Sequence, residues 1–209
     1  MTVRRWIALA LNLLLAVMVF RAWGRMFFQR DDSGRLSAVG WGSLKFFTIL
    51  SNLLEGVAAA LTALWLILLL CGAVADMPRW LTLLRYAAAV SVSLTCVTVL
   101  AFLGPIYGYG AMFKGANLTL HLLVPLLAVA VFLWMDRGPI TFPETLWAVL
   151  PMFLYGVGYM INVGLHHGAK ETDWYALVQG SVLRGIISSV VMIGAAWLLA
   201  LLLRLPGER

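Results

Sequence analysis

The chain has 209 residues, of which 63% are hydrophobic and 11% charged, with a mean hydropathy of +0.95. Soluble domains carry roughly 45–50% apolar and about 25% charged residues, so an ordinary soluble enzyme and a disordered chain are excluded. Two cysteines, Cys71 and Cys96, both in apolar stretches, exclude a disulfide scaffold. The net charge of +6 comes from basic residues at the ends of apolar runs, which is membrane-flanking charge and not a nucleic-acid surface.

A helix needs about 20 apolar residues to cross about 30 Å of hydrocarbon. Six segments meet that length: residues 6–28, 44–71, 80–103, 118–134, 145–164 and 181–203. The fold class is therefore all-α, a single six-helix transmembrane domain over residues 1–209, in contact with the bilayer. Arg4 and Arg5 followed by an apolar run resemble the start of a signal peptide. Arg21-Ala22-Trp23-Gly24-Arg25 offers no A-x-A-like cleavage site, so the first segment is read as a retained span. Gly and Pro mark the borders at Gly40-Trp41-Gly42, Gly104-Pro105, Gly108-Tyr109-Gly110, Gly138-Pro139, Pro143 and Pro206-Gly207. Trp80, Tyr107, Trp134 and Trp174 fit an interfacial aromatic belt. With six spans both termini share a side. That side carries Arg4, Arg5, Arg79, Arg85, Arg137, Arg204 and Arg209; the other carries Arg21, Arg25, Arg30, Arg35, Lys45, Lys114, Lys170 and Arg184. Near-equal numbers set no orientation under the positive-inside rule.

The ionisable residues within the spans are candidate functional groups. Thr48, Asn52 and Glu55 in the second span are spaced i, i+4, i+7 and share a helix face. Glu55 lies roughly 10 Å deeper than Thr48, as a structural carboxyl bonded to a neighbouring helix or as a proton site. His121 sits one turn inside the fourth span, which starts from the same membrane side as the second, so Thr48 and His121 are placed at similar depth. A neutral imidazole suits a base for a hydroxyl; a structural histidine is the plainer alternative. Tyr155, Tyr159, Asn162 and His166 form a stripe along the fifth span, either a hydrogen-bonded seam or a pocket wall. Arg184 opens the sixth span on that side, and Arg25 with Arg21 ends the first. These cations either snorkel to headgroups or hold a substrate carboxylate or anionic lipid head.

Rival chemistries are weaker. His121, His166, His167, Glu55 and Asp173 include metal-ligand types, but nothing has HExxH-like spacing. His121 with His166 is the one plausible axial pair for a haem. A transporter or lipid-binding protein could use the same polar residues, with Glu55 as the proton site, although no broken-helix repeat is visible. Walker, Rossmann and G-x-S-x-G motifs are absent. No cofactor and no metal is implied.

The stretch Phe46-Phe47-Thr48-Ile49-Leu50-Ser51-Asn52 resembles the FTxxSN block of the bacterial Pr6Pr membrane family. Leu120-His121-Leu122-Leu123-Val124-Pro125 resembles its LHxxxP block, and Pro151-Met152-Phe153-Leu154-Tyr155 its P-x-x-Y segment. That family is similar to the androgen-induced membrane proteins of animals, six-helix hydrolases of fatty acid esters of hydroxy fatty acids. The resemblance implies a multi-pass protein of the bacterial inner membrane that cleaves lipid esters, with Thr48 as nucleophile and His121 as general base. The loop from Gly164 through His166-His167 departs from the family's aromatic-proline run. On this reading a fatty-acyl substrate lies among the helices. Asn52, Asn162 or Tyr159 would stabilise the oxyanion, and Arg184 or Arg25 would pair with a free carboxylate.

Overall fold

The computed structural model describes residues 2–28, 39–135, 138–167 and 172–205. Arg30, Arg35, Arg137, Lys170 and Arg209 of the charge comparison, and the Pro206-Gly207 border, lie outside the described residues. Six helices are long and apolar enough to cross a membrane, and no strand occurs among the described residues. The chain is a multi-pass α-helical membrane protein. We label the spans α1 (Thr2–Phe28), α2 (Phe47–Leu70), α3 (Arg79–Tyr107), α4 (Ala116–Trp134), α5 (Thr145–Leu165) and α6 (Val182–Arg204).

Local chemistry sets the borders to within a few residues of the sequence expectation. Residues 44–45, expected inside the second span, belong instead to a 3-10 turn over Gly40–Lys45. At the other end of α2, Gly72 takes a φ of +72°, which glycine adopts without a Cβ penalty. There the Ala73 amide donates to the Leu68 carbonyl at 2.9 Å and the Gly72 amide to Leu69 at 3.3 Å, closing the helix in a Schellman motif. Pro78 stands in extended backbone just before α3. The Ser181 hydroxyl accepts from the Arg184 amide and caps α6.

Two spans contain a wide turn. In α3 the Gly104 amide bonds the Val99 carbonyl, and in α4 the Val124 amide bonds the Thr119 carbonyl, each five residues back. A proline follows directly in both cases, Pro105 and Pro125. Proline has no N–H and its ring clashes with the carbonyl four residues earlier. The turn widens to relieve the clash, and His121 lies inside the α4 widening.

The spine of the bundle is α3. Its residues Tyr86, Ala88, Ala89 and Val90 are fully buried, and it packs against α2, α4, α5 and α6. The Tyr86 hydroxyl donates to the Ala200 carbonyl of α6, and its ring stacks on Phe132 of α4 at 5.5 Å. The first span packs most extensively on α2. Gly56 permits the approach, because a Cβ there would lie 2.9 Å from a Val19 methyl. The outermost span, α6, exposes Val182, Leu183, Val190 and Leu198, as a lipid-facing helix does. Trp80, Trp134 and Tyr107 are exposed at span ends, in keeping with an aromatic belt. Trp174 is instead half-buried against Tyr159, at 4.9 Å.

Candidate functional site: a cleft between the second and fifth spans

A cleft of about 420 Å3 lies between α2 and α5. Leu50 and Leu54 line its α2 wall, and Leu154, Tyr155 and Gly158 its α5 wall. Ser51 is its one polar contribution from within α2, and the Ser51 hydroxyl is itself bonded to Thr95 of α3 at 2.9 Å. Pro151 also lines the cleft, inside α5. It leaves the Trp147 carbonyl without its usual helical donor, which favours a bend at that level. The lining is apolar and the neighbouring helices are apolar, so an acyl chain suits the cleft better than a polar solute.

The mouth has a cation and a cluster of aromatic rings. Lys45, at the cleft rim, lies 5.1 Å from the Phe46 ring centroid and 5.8 Å from that of Trp174. It makes no ion pair with a carboxylate among the described residues. Tyr155, Tyr159, Trp174 and Tyr175 pack edge to face and tilted around the opening. The Tyr155 hydroxyl donates to the Lys45 carbonyl at 2.7 Å and accepts from the Trp174 indole at 3.2 Å. These bonds tie α5 and the α5–α6 loop to the start of α2.

Asp173 holds that loop. Its carboxylate accepts from the Tyr159 hydroxyl and from the amides of Leu177, Val178 and Gln179. Burial raises its pKa, but the donors outweigh burial and keep it below the ordinary aspartate value. Asp173 is thus a loop anchor. No group of three or more metal-binding side chains exists among the described residues.

Thr48 is half-buried in the first turn of α2. The Tyr175 hydroxyl accepts from the Phe47 amide at 3.1 Å and faces the amide and hydroxyl of Thr48. Burial pushes the Tyr175 phenol up to about 12, and the Phe47 amide only partly opposes the shift. The phenol therefore keeps its proton at neutral pH. Tyr175 was absent from the sequence-derived site. The signal available was its place in a loop returning to the Thr48 side of the membrane, next to Trp174.

His121 is buried, and its Nδ1 lies 2.8 Å from the Met112 carbonyl. A carbonyl only accepts, so Nδ1 carries the proton and the lone pair of the neutral ring is on Nε2. The Asn52 amide links the two motif blocks: it donates to the Thr48 carbonyl at 2.7 Å and to the Leu120 carbonyl at 3.1 Å. No hydrogen bond joins Thr48 to His121 among the described residues.

Several expected site residues lie elsewhere. Glu55 is fully buried and forms an ion pair with Arg85 of α3 at 2.5 Å. It does not line the cleft. Arg85, read from sequence as a membrane-flanking charge, is 1% exposed within the bundle. A charge at that depth needs a partner, and Glu55 supplies it. Asn162 donates to the Thr172 carbonyl at 3.5 Å, His166 bonds the Asn162 carbonyl, and Arg184 donates to Gln179. These three serve the α5–α6 loop. Arg25 is exposed at the end of α1 and does not line the cleft. Of the three proposed oxyanion donors, Tyr159 and Asn162 are committed to the loop and Asn52 to two carbonyls. Only Tyr155 and Tyr159 of the polar stripe reach the cleft wall.

No family model, curated protein or solved structure matches this chain.

Proposed function

We propose that this protein is a lipid-ester hydrolase of the membrane, with motifs akin to those of the Pr6Pr proteins. It draws an acyl chain into the α2–α5 cleft and attacks the ester with Thr48. The observation that carries the proposal is the apolar cleft lined by Phe47, the residue before Thr48, with Lys45 at its rim; Thr48 itself is not a lining residue. A chain enters among Leu50, Leu54 and Leu154, while an acidic head group pairs with Lys45. This cation replaces Arg25 and Arg184, which lie away from the cleft.

The chemistry is acyl transfer. Thr48 Oγ1 bonds to the ester carbon as its proton passes to a base, since an unassisted hydroxyl is a weak nucleophile. His121 is that base in this proposal, through the Nε2 lone pair. The tetrahedral intermediate collapses, the C–O bond to the alcohol breaks, and the alcohol leaves with the proton. Water then adds to the acyl-threonine, releasing the fatty acid and restoring Thr48. Tyr175, still protonated at neutral pH, donates to the developing oxyanion.

A second reading, lipid binding without catalysis, is favoured by one observation: the His121 ring is turned to the Met112 carbonyl and not bonded to Thr48. Proton-coupled transport through Glu55 has less support, because its carboxylate faces Arg85 and not the cleft. A fluorophosphonate probe on purified protein separates the readings. Hydrolysis requires labelling of the wild type that is lost in Thr48→Ala and His121→Ala. Removing an oxyanion donor costs about 10²–10³ in rate, so Tyr175→Phe slows labelling without abolishing the fold. Absence of labelling in folded wild-type protein, with a fatty acid still bound, leaves the binding role.

A further inference from the structure

A second pocket, of about 320 Å3, lies on the opposite membrane side, where α1 begins, α2 ends and the α2–α3 loop turns. It is independent of the cleft and of Thr48. Its lining has charges of both signs. Arg4 and Arg5 come from the first turns of α1, and Asp76 from the α2–α3 loop. Leu66 and Leu69 of α2 supply an apolar wall, and Trp134 closes the α4 side.

Two hydrogen bonds build this pocket. The Trp65 indole donates to the Asp76 carbonyl at 2.9 Å, fixing the loop. Arg4 donates to the Trp134 carbonyl, joining α1 to the end of α4. Arg5 is half-buried. It forms no ion pair with Asp76, or with any other carboxylate among the described residues. The pocket thus presents a cation and a carboxylate that do not neutralise one another, beside an apolar helix surface at the depth of Trp134, a belt residue.

We propose that this pocket binds a glycerophospholipid head group that carries both a phosphate and a primary ammonium. Arg5 offers a planar set of N–H donors to phosphate oxygens. Asp76 offers a carboxylate to the ammonium, whose three N–H groups each need an acceptor. Leu66 and Leu69 then lie against the start of the acyl chains. A phosphate with glycerol hydroxyls would satisfy Arg5 but offer Asp76 only neutral O–H donors, which are weaker partners for a carboxylate than a charged ammonium. A quaternary ammonium has no N–H to give. The size lies within the range of about 300–1,000 Å3 common to small-molecule sites.

The test is native mass spectrometry of the purified protein with phosphatidylethanolamine, phosphatidylcholine and phosphatidylglycerol of matched chains. Phosphatidylethanolamine is expected to be retained about tenfold more tightly than either, the equivalent of one charged hydrogen bond. Asp76→Asn removes that preference while leaving the Trp65 bond, which uses the backbone carbonyl, in place. Arg5→Gln weakens all three lipids. Equal or tighter binding of phosphatidylglycerol by the wild type overturns the proposal, as does a phosphatidylethanolamine preference that survives Asp76→Asn. Neither result affects the cleft, whose probe labelling is measured separately.

Discussion

Two arginine–glutamate pairs join α3 to its neighbours, and they do opposite things. Arg79 and Glu144 meet at the membrane border through two parallel hydrogen bonds, with 40% and 19% of their side chains exposed. Arg85 and Glu55 meet inside the bundle through one hydrogen bond, at 2% and 0% exposure. The outer pair is well made but hydrated and screened, so its worth is about 0–1 kcal/mol. The inner pair is less completely made. Glu55 Oε2 and Arg85 Nε and Nη2 have no partner among the described residues. Yet losing one inner partner strands a charge where water cannot solvate it. The same two side-chain types give an adjustable latch at the surface and an obligatory clamp in the core.

The comparison is sharpest when one partner is removed. Arg85→Met leaves Glu55 buried and unpaired, and is expected to cost about 3–5 kcal/mol in thermal or denaturant unfolding in detergent. The double variant Glu55→Leu/Arg85→Met is expected to return to within about 1 kcal/mol of wild type, or to exceed it, because it removes both desolvated charges. A double variant as unstable as the single would show that the clamp supplies packing and not charge balance. Gly56→Ala, on the α1 face of the same helix, places a Cβ 2.9 Å from Val19. An overpacking loss of about 1–3 kcal/mol is expected there.

The outer pair should respond weakly and to different variables. Arg79→Met is expected to cost about 1 kcal/mol or less, shrinking further in high salt. The Arg79 guanidinium holds the Glu144 carboxyl down at about 2, against an ordinary 4.5. A depressed carboxyl pKa stabilises the fold at pH above the unfolded value. That contribution is lost as pH falls from about 4.5 through about 2. A shallow loss of melting temperature over this range is the expected result, reduced in Arg79→Met, where the Thr141 amide and hydroxyl still donate to the carboxylate. A shift of equal size in both proteins would assign the acid sensitivity elsewhere.

The fold was legible because apolar run length is a direct measure of what can cross a bilayer, and all six spans follow it. What hydropathy could not show was pairing. Arg85 lies six residues beyond Arg79, near enough to a span end to pass for a flanking charge. Glu55, deep in α2, demands a cation at matching depth on an adjacent helix. The polar stripe of α5 was half legible. Tyr155 and Tyr159 do reach the cleft, but Asn162 donates to the Thr172 carbonyl of the loop and His166 bonds the Asn162 carbonyl in the last turn of the helix. Tyr175 is not legible because loop residues have no periodicity from which to read a face. The wide turn that holds His121 is followed by Pro125, as its counterpart is by Pro105, but Pro151 inside α5 has no such widening, so proline alone does not specify one.

The most direct test is photo-crosslinking of a fatty acid with a mid-chain diazirine to purified protein, mapped by peptide mass spectrometry. Occupation of the cleft requires adducts concentrated on α2 at Leu50 or Leu54 and on α5 at Leu154 or Gly158, reduced by Lys45→Gln. Adducts spread evenly over the lipid-facing surface of α6, with Lys45→Gln silent, would contradict it.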